Sequence, residues 1–512
     1  MNLSKGKRIA SVALALGAIA VTLVPVSAAN TPIDQAVSPG IGRLNHLTFQ
    51  GSTTVGPIIQ QAAAAYNTAR GSTIILDDGN NIVQKGSGYG QNAMTLGTGD
   101  GAALGHIATD IGMSSGVVNA TTFPDVKPIA IARDGMVAAA NETGAAWVGH
   151  EILNITIGQL DDIYEGRVHN WNQIIDPVTG KTGPDMVIVP RARNIGSGTR
   201  ASWKDSVAGT FNPADVDPTV GGAQEYNENW VIVNWGLNAR LGTQVEMQNV
   251  LNGATASGQI GYVGLGFGKD ATHPNITDLN IVKNTLIKNG TGTFTALTNA
   301  GDNVKGSQLN EGANTVTVTT AGTFVITTPA GCTGTVAAGT GTTITGGATL
   351  AASSTNTVTV AGTGTIIVTL NYTLGYAPTS INIYTGVYPF ARFLWLLTNT
   401  DAISGTTTFA NYDPASHDGI KDFINWMRQV DGAGQQAVVD TGFLRLVAAQ
   451  DVDSNGGVNV LDLISVGNKV GAASNLGRAD VDHNGSVNVL DLIAVGNWVG
   501  AAIVADPTTP LP

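Results

Sequence analysis

Along residues 45–282, apolar residues occur in two different patterns, one typical of strands and one typical of helices. Short apolar runs at Leu47–Phe49, Ile74–Leu76 and Met186–Val189 are typical of strands, and Pro190 is expected to end the last of them. After the first run, apolar residues recur at helical spacing, at Ile58, Ile59, Ala62, Ala63 and Tyr66. Strands that alternate with helices in this way predict an α/β domain.

Residues 289–375 show a third pattern, in which apolar and polar residues alternate with period two. Thr315–Thr319 and Thr357–Val360 show this alternation, and glycine pairs separate such runs. The pattern predicts an all-β module with one buried face. A disordered Thr/Gly-rich stalk is the alternative interpretation.

The α/β pattern returns over residues 376–446, where Phe423, Trp426 and Met427 form one helical face. An insertion explains this order more simply than a row of separate domains. We therefore expect one α/β domain, formed by residues 45–288 and 376–446, with the β module inserted into it.

Residues 1–29 have the features of a secretory signal peptide. Basic residues between positions 5 and 8 precede an apolar run over residues 9–24, and Val26–Ala28 offers a small-residue cleavage site. A membrane anchor is the alternative, but the apolar run is short for one. We expect the mature protein to be secreted, periplasmic or held at the cell surface.

The cysteine count and the net charge bear on cross-links, lipid anchoring and nucleic-acid binding. Cys332 is the single cysteine, which excludes an intrachain disulfide and a lipid anchor on an N-terminal cysteine. The formal net charge is -12, and nucleic-acid binding needs basic patches. We therefore expect no nucleic-acid partner, although a buried site can still bind a small anion through local donors.

A twelve-residue segment, Asp451–Asp462, recurs as Asp480–Asp491. Side chains with oxygen atoms stand at positions 1, 3, 5, 9 and 12 of each segment, and Gly457 and Ser486 would offer backbone carbonyls at position 7, a spacing that suits a calcium ion. Gly456 and Gly485 permit the sharp turn at position 6. Each loop runs into an apolar helix, predicted over residues 460–470 and 489–499. The expected ligands of the two calcium ions are Asp451, Asp453, Asn455, Gly457, Asn459 and Asp462, and Asp480, Asp482, Asn484, Ser486, Asn488 and Asp491.

Residues 447–500 resemble the dockerin family, because the loop-helix unit is repeated once and carries Asp at position 12. The resemblance implies that calcium folds the module and that its helices dock on a cohesin-like partner. Val460–Leu461 and Val489–Leu490 are apolar where that family usually has hydroxyl-bearing residues. A calcium-stabilised tail without a partner is the alternative, and residues 501–512 form a short proline-containing end.

Four segments of the α/β region combine glycine with hydroxyl residues beside predicted helix starts. Helix N-termini offer unpaired N–H groups, glycine lets the backbone approach a ligand, and arginine adds a bidentate cation. One such segment alone is better explained as a helix cap or a turn. Together they predict a site for a tetrahedral oxyanion; they are Gly51–Thr54, Gly86–Gly90, Asp110–Ser115 and Arg193–Thr199.

These segments, in this order, resemble the phosphate-binding proteins of ABC transporters, the PstS family. Supporting blocks are Ile157–Gly166 with Asn170–Trp171, Asn252–Gly253 with Gly258–Tyr262, and Pro378–Ser380 with Gly386–Pro389 and Arg392. The resemblance implies a two-lobed periplasmic-binding-protein fold, inorganic phosphate as ligand and an ABC permease as partner. The residues that it implies for phosphate binding are Ser52, Thr53, Thr54, Ser87, Ser114, Ser115, Arg193, Ser197, Gly198 and Thr199.

The proton acceptor departs from the family pattern. Some members have an aspartate where this chain has Ser115, and others have Ser-Ser-Arg where this chain has Ser114–Gly116. A hydrogen-bond acceptor in a fixed position favours protonated phosphate over sulfate, because sulfate has no proton to donate. Asp134 is the substitute acceptor that we consider, and selectivity over sulfate or arsenate stays open.

Three other functions are compatible with parts of the sequence. Gly112–Gly116 matches G-x-S-x-G, but residues 117–124 form a poor helix and no histidine has a recognisable partner motif, so we expect no enzyme activity. The rival classes are a surface or assembly protein that uses the binding-protein fold without transport, and a dockerin-bearing hydrolase. The second would need a carboxylate pair that no motif identifies.

Overall fold

The computed structural model describes residues 46–71, 73–95, 109–165, 168–194, 196–207, 241–255, 257–299, 308–309, 311–399, 414–472 and 474–508. The expected signal peptide, residues 1–29, and the last four residues lie outside the described residues. Within the described part of the chain, no helix combines the length and the apolar character needed to cross a bilayer.

The first lobe is built on a five-stranded sheet, and one of its inner strands comes from late in the sequence. With strands numbered in chain order, its members are β1 (Phe49–Gly51), β2 (Ile82–Gln84), β3 (Ile111–Ser114), β4 (Val126–Gly135) and β20 (Ala391–Asn399). Their order is β2-β1-β3-β20-β4; the first three are mutually parallel, and β20 is antiparallel to both of its neighbours. Helices cover this sheet: α1 (Gly56–Arg70), α2 (Ser87–Ala93), α6 (Ser380–Tyr384), α7 (Pro414–Met427) and α8 (Ala433–Asp440).

The structure confirms the buried face that the sequence predicts for helix α1. All five apolar residues noted at helical spacing are buried, and Phe49 of β1 and Tyr66 of α1 both make edge contacts with Phe423 of α7. Pro57 stands in the first turn, where its missing N–H costs no hydrogen bond. Gly71 ends the helix in the left-handed conformation, with φ of 66°.

Two strand predictions for this lobe are wrong in position. The first strand begins at Phe49 instead of Leu47, and Ile74–Leu76 form no strand; the second strand lies at Ile82–Gln84. The backbone N–H groups of Ile74 and Ile75 both donate to the side-chain oxygen of Asn67, at 2.8 and 2.9 Å. That side chain of α1 takes the place of a neighbouring strand.

The second lobe has another five-stranded sheet, in the order β6-β9-β5-β8-β7. Its strands are β5 (Val137–Asn141), β6 (Asn154–Thr156), β7 (Val189–Pro190), β8 (Gln259–Val263) and β9 (Ile276–Val282). Its helices are α3 (Ile157–Glu165), α4 (Gly198–Val207) and α5 (Gln244–Leu251), with short 3-10 turns at Ala145–Trp147, Trp171–Gln173 and Leu265–Phe267. The core contains three fully buried tryptophans, Trp147, Trp171 and Trp203.

The strand predicted at Met186–Val189 begins later than expected. Strand β7 consists of Val189 and Pro190, so the strand ends at the proline, as expected. This is possible because β7 is an edge strand, where a residue without an N–H group breaks no ladder bond. The chain passes from β4 of the first lobe into β5 of the second across Met136.

The Thr/Gly-rich segment folds as a sandwich of two five-stranded antiparallel sheets, not as a stalk. One sheet has the order β12-β10-β14-β18-β16 and the other β11-β13-β19-β15-β17. Val316, Val318, Ile366 and Val368 point into the shared core, as the period-two pattern predicts. The strands are β10 (Thr285–Asn289), β11 (Thr293–Asn299), β12 (Gln308–Leu309), β13 (Gly312–Thr320), β14 (Gly322–Thr328), β15 (Cys332–Ala338), β16 (Thr343–Gly346), β17 (Thr349–Leu350), β18 (Ser354–Ala361) and β19 (Gly364–Tyr372).

The C-terminal repeat forms helices α9 (Val460–Gly467) and α10 (Val489–Gly496), with a 3-10 turn at Gly477–Ala479. Both helices are shorter than predicted and end near Asn468 and Asn497. The repeat packs against the first lobe, where the ring of Tyr384 meets that of Trp498 at 5.7 Å.

Candidate anion-binding site

Arg193 is the buried cation at the centre of the site. It follows β7, is fully buried, and donates from Nη2 to Thr53 Oγ1 and to the Gly242 carbonyl, both at 2.8 Å. Its Nε donates to the Leu241 carbonyl at 3.2 Å. Nη1 is also buried and has no hydrogen-bond partner among the described residues. A buried donor without a partner is costly, so a ligand oxygen is the partner to expect here.

Arg392, at the start of β20, adds a second buried guanidinium. Its Nε and Nη2 donate to Asp134 Oδ2 at 2.8 and 2.6 Å, and Nη2 also donates to Thr199 Oγ1 at 3.2 Å. Among the described residues, Arg392 Nη1 has no hydrogen-bond partner either. In the sequence, Arg392 only supported the family resemblance, and no contact with the anion was predicted for it.

The two arginines make the site electropositive. Burial, with a smaller contribution from the charge of Arg392, lowers the pKa of Arg193 to about 10. The Arg193 guanidinium remains protonated at neutral pH, because this pKa lies well above 7. Asp134 balances one of the two charges, so an anion is needed to balance the other.

Helix α4 presents its N-terminus to this cluster through Ser197, Gly198 and Thr199. Ser197 Oγ accepts from the Arg200 backbone N–H at 3.3 Å, which is the bond of a helix cap. Thr199 Oγ1 lies 3.1 Å from Thr54 Oγ1 of the other lobe. The first turn of the helix therefore brings its N–H groups and its positive dipole end to the point where the lobes meet.

Ser52–Thr54 form the corresponding wall of the first lobe, between β1 and α1. The Ser52 backbone N–H donates to the Met113 carbonyl at 2.9 Å, which ties the loop to β3. Ser52 Oγ accepts from the backbone N–H groups of Thr54 and Val55, at 3.1 and 3.3 Å. These three predicted residues, together with Arg193 and Thr199, lie in one cluster.

Ser87 and Ser115 form a second pair of hydroxyls in the first lobe. The Ser115 backbone N–H donates to Ser87 Oγ at 2.9 Å, and the two hydroxyl oxygens are 3.4 Å apart. From the second lobe, Ser202 Oγ donates to the Ser115 carbonyl at 3.2 Å. The pair therefore lies where α4 meets the first lobe.

Ser114 has a local role instead. Its hydroxyl donates to the Gly116 carbonyl at 2.8 Å, and it accepts from Gly116 N at 3.2 Å and from Gln91 Nε2 at 3.3 Å. These bonds hold the turn after β3, so the side chain of Ser114 is committed to that turn. No helix follows it in residues 115–125, as expected for a coincidental match to G-x-S-x-G.

Sequence reasoning missed Gln244, which links the two walls. This fully buried residue begins α5 and donates from Nε2 to Thr54 Oγ1 at 2.9 Å and to Thr199 Oγ1 at 2.8 Å. Its Oε1 accepts from the Gly264 backbone N–H at 3.3 Å. The Thr243–Glu246 capping box marks the helix start in the sequence, but nothing local places the next residue in the cleft.

The C-terminal repeat brings its acidic residues together as the spacing predicts. Ligand atoms of Asp451, Asp453 and Asp462 lie within 4.8 Å of one another, and Asp480, Asp482 and Asp491 form the same group in the second loop. Gly456 and Gly485 adopt φ of 92° and 87°, the conformation required by the sharp turn.

The charges of the first loop fit a divalent cation. Burial raises the pKa of Asp451, and the charges of Asp462 and Asp453 raise it further. A cation would relieve this repulsion between carboxylates. Asn459 and Asn488 were expected to bind calcium, but each side-chain oxygen also caps a helix. Asn459 Oδ1 accepts from Leu461 N of α9 at 2.8 Å, and Asn488 caps α10 in the same way.

Residues 26–428 match the profile of a family described as the PBP superfamily domain. This match spans more than half of the chain and includes the strands of both lobes and of the sandwich.

Solved structures of three proteins are also similar. A phosphate ABC transporter substrate-binding protein from Clostridium perfringens, solved with bound phosphate, is 16% identical; the match covers 78% of this chain and 99% of that chain, with a TM-score of 0.43. An ABC-type phosphate transport receptor from Vibrio cholerae is 17% identical over 78% and 99% of the two chains, with a TM-score of 0.39. A phosphate-binding protein from Stenotrophomonas maltophilia is 13% identical over 90% and 100%, with a TM-score of 0.41.

Proposed function

The chain belongs to the PBP superfamily, and on that premise we propose that it is a receptor that captures inorganic phosphate between its two lobes. Members of this family are extracytoplasmic solute-binding proteins without enzymatic activity. In this proposal the receptor is secreted by means of residues 1–29 and delivers phosphate to an ABC permease.

One observation carries the proposal. Two buried guanidinium groups, Arg193 and Arg392, donate to the same cluster of hydroxyls, and each keeps an Nη1 without a partner among the described residues. Paired guanidinium donors, hydroxyls and a helix N-terminus are the groups that bind tetrahedral oxyanions. The affinity would come from donors that are already in position before the anion arrives.

Isothermal titration of the full chain with phosphate tests this proposal. Arg193→Ala should abolish binding, because it removes the central charge and its unpaired donor. Arg191→Ala is the matched control, since Arg191 lies two positions earlier and bonds to Gln259 Oε1 outside the cluster. Circular dichroism should show that both variants are folded. Tight phosphate binding by a folded Arg193→Ala protein would contradict the proposed site.

We further propose that the two acidic loops bind calcium and that the repeat is a dockerin-like module. The three carboxylates in each loop, with the turn glycines, support calcium over a softer metal. Calcium should raise the melting temperature of the module, since an ion that binds only the folded state stabilises it. Asp451→Ala combined with Asp480→Ala should remove this response, whereas Ser465→Ala on α9 should keep it. An identical melting profile of the unaltered chain with calcium and with chelator would contradict the assignment.

A role in attachment is the second candidate function, and an exposed apolar surface favours it. Val460, Leu461 and Ile464 of α9 are 60%, 54% and 51% exposed, and Val489, Leu490 and Ile493 of α10 are 61%, 57% and 52% exposed. Apolar side chains repeated on two helices fit a protein partner such as a cohesin-like domain. A pull-down with a panel of cohesin domains, in calcium and in chelator, tests it; no calcium-dependent capture would favour a tail without a partner.

A further inference from the structure

Arg478 lies at the junction between the C-terminal repeat and the first lobe. It belongs to the 3-10 turn Gly477–Ala479, which runs directly into the second acidic loop. Its Nη2 donates to the carbonyls of Ala448 and Asp451 at 2.7 and 2.8 Å, and its Nε donates to the Val452 carbonyl at 3.1 Å. Asp451 and Val452 begin the first acidic loop. One side chain therefore holds the backbone at the start of this loop.

The same guanidinium is fixed from the other side by the first lobe. Its Nη1 donates to Oδ2 of Asp431, a residue between α7 and α8, at 2.9 Å. Oδ1 of Asp431 accepts from Arg445 Nη1 at 2.9 Å, so the lobe holds this carboxylate in place. The side chains of Arg445, Asp431 and Arg478 are only 9%, 24% and 16% exposed. Solvent therefore screens these ion pairs less than it screens pairs on an open surface.

The two acidic loops are alike in sequence but differ in this support. Arg478 stands two positions before the second loop, whereas Ala449 stands two positions before the first. The methyl group of Ala449 donates no hydrogen bond, so it cannot hold the second loop in return. Asp482 and His483 of the second loop instead line a cavity of about 490 Å³ against the first lobe. The contact that braces the first loop thus has no counterpart in the sequence of the other half of the repeat.

We infer that Arg478 is a positioning residue of the first calcium loop, and that its contact with Asp431 makes the calcium affinity of this loop depend on the first lobe. The inference rests on the calcium binding that is proposed above for the acidic loops. Coupling between two binding events is reciprocal, so calcium in the first loop holds the repeat more firmly on the lobe. The second loop binds calcium independently of this contact.

Asp431→Asn tests the contribution of the lobe, because it keeps the size of the side chain and removes its charge. Hydrogen exchange of the full chain at a series of calcium concentrations gives the affinity of each loop from its own peptides. Calcium binding should weaken at least about fivefold in the first loop and stay within about twofold in the second. Loss of the carboxylate charge alone would weaken both loops, so equal losses would contradict the inference and leave the calcium sites standing. If the unaltered chain binds no calcium, the proposed calcium sites and the inference are both wrong.

Arg478→Ala separates positioning from simple electrostatics by the direction of its effect. Removal of a cation near a calcium site tightens calcium binding if charge alone matters, because like charges repel. Loss of the bonds to the first loop should instead weaken calcium binding in that loop at least about fivefold. Lys469→Ala is the charge-matched control, since Lys469 lies between the two loops and donates to the Asn475 carbonyl at 2.6 Å. Unchanged or tighter calcium binding in the first loop of Arg478→Ala would overturn the role of Arg478.

The reciprocal effect is measured on the lobe itself. Calcium should slow hydrogen exchange in residues 428–432, the connection between α7 and α8 that contains Asp431. Asp453→Ala, which removes an exposed carboxylate of the first loop, should abolish this response, and the matched change Asp482→Ala in the second loop should keep it. A full response in Asp453→Ala would show that the first loop is not coupled to the lobe.

Discussion

At the scale of single residues, Gly198 decides how closely the two lobes approach. A Cβ atom at this position would lie 2.1 Å from Ser87 Oγ, 2.6 Å from Ser87 Cβ and 2.9 Å from the Gly116 backbone nitrogen. Gly198→Ala should therefore hold the lobes apart and weaken phosphate binding by about tenfold or more, equivalent to about 1.4 kcal/mol.

The fold should tolerate this change, since alanine is a better helix former than glycine at the start of α4. Titration calorimetry measures the affinity, and thermal melting checks the fold. Gly88→Ala is the control, because a Cβ atom there would meet nothing within 4 Å. Unchanged phosphate affinity in Gly198→Ala would show that the contact between the lobes is not needed for binding.

Glu142 should make stability depend on pH. Burial, together with the nearby charges of Glu151 and Asp176, raises the pKa of its carboxyl from 4.5 to about 8. The folded state then holds a proton that the unfolded state releases, so stability is lost as pH rises from about 4.5 to about 8. Glu142→Gln should melt at a higher temperature than the unaltered protein at pH 8 and at a similar temperature near pH 4.5. A melting difference that does not vary with pH would contradict the raised pKa.

At the scale of elements, the sandwich has its own hydrophobic core, against which Val178 of the second lobe also packs. Ile281 and Tyr376 exchange two backbone hydrogen bonds of 2.9 Å, so the chain leaves and re-enters the second lobe at neighbouring positions. Replacing residues 285–374 by Asn-Gly should close this pair as a hairpin. The shortened protein should fold and bind phosphate within about twofold of the full chain, because distant sites contribute independently. Circular dichroism and calorimetry measure both properties, and loss of binding would show that the sandwich supports the cleft.

The sequence predicted those elements whose pattern is local. The clustering of the acidic residues was predicted because those of each loop lie within twelve residues, and α1 was predicted because its buried face has a regular period. Ile74–Leu76 looked like a strand, but Asn67 supplies the hydrogen bonds that a strand would have made. Tertiary contacts of this kind override local propensity.

The site was predictable only in part, for the same reason. Arg193 and Thr199 belong to one glycine-rich segment, so their pattern is visible in the sequence. Gln244 and Arg392 come from helix α5 and strand β20, far along the chain, and reach Thr199 only after both lobes have formed. Their role depends on the meeting of the lobes, which no local pattern records.

At the scale of the whole molecule, the C-terminal repeat is fastened to the first lobe by the chain that follows it. Ile503 N donates to the Gly456 carbonyl of the first acidic loop at 3.0 Å, and Val504 N donates to the Tyr384 carbonyl at 2.9 Å. Further along, Asp506 pairs with Arg428 of the first lobe at 2.7 Å. Residues 502–508 thus form a strap that touches both the first acidic loop and the first lobe.

Deleting residues 502–512 should loosen this attachment, while deleting only residues 509–512 should not, because the strap then remains. We expect faster hydrogen exchange in the repeat and weaker calcium binding in the first loop than in the second, since the bond to the Gly456 carbonyl belongs to the first loop. Phosphate affinity should change little, because Arg193 and Thr199 make no contact with the strap. If exchange in the repeat is the same in both deletions, the module is held by its packing around Tyr384 and Trp498, and the strap contributes nothing to its position.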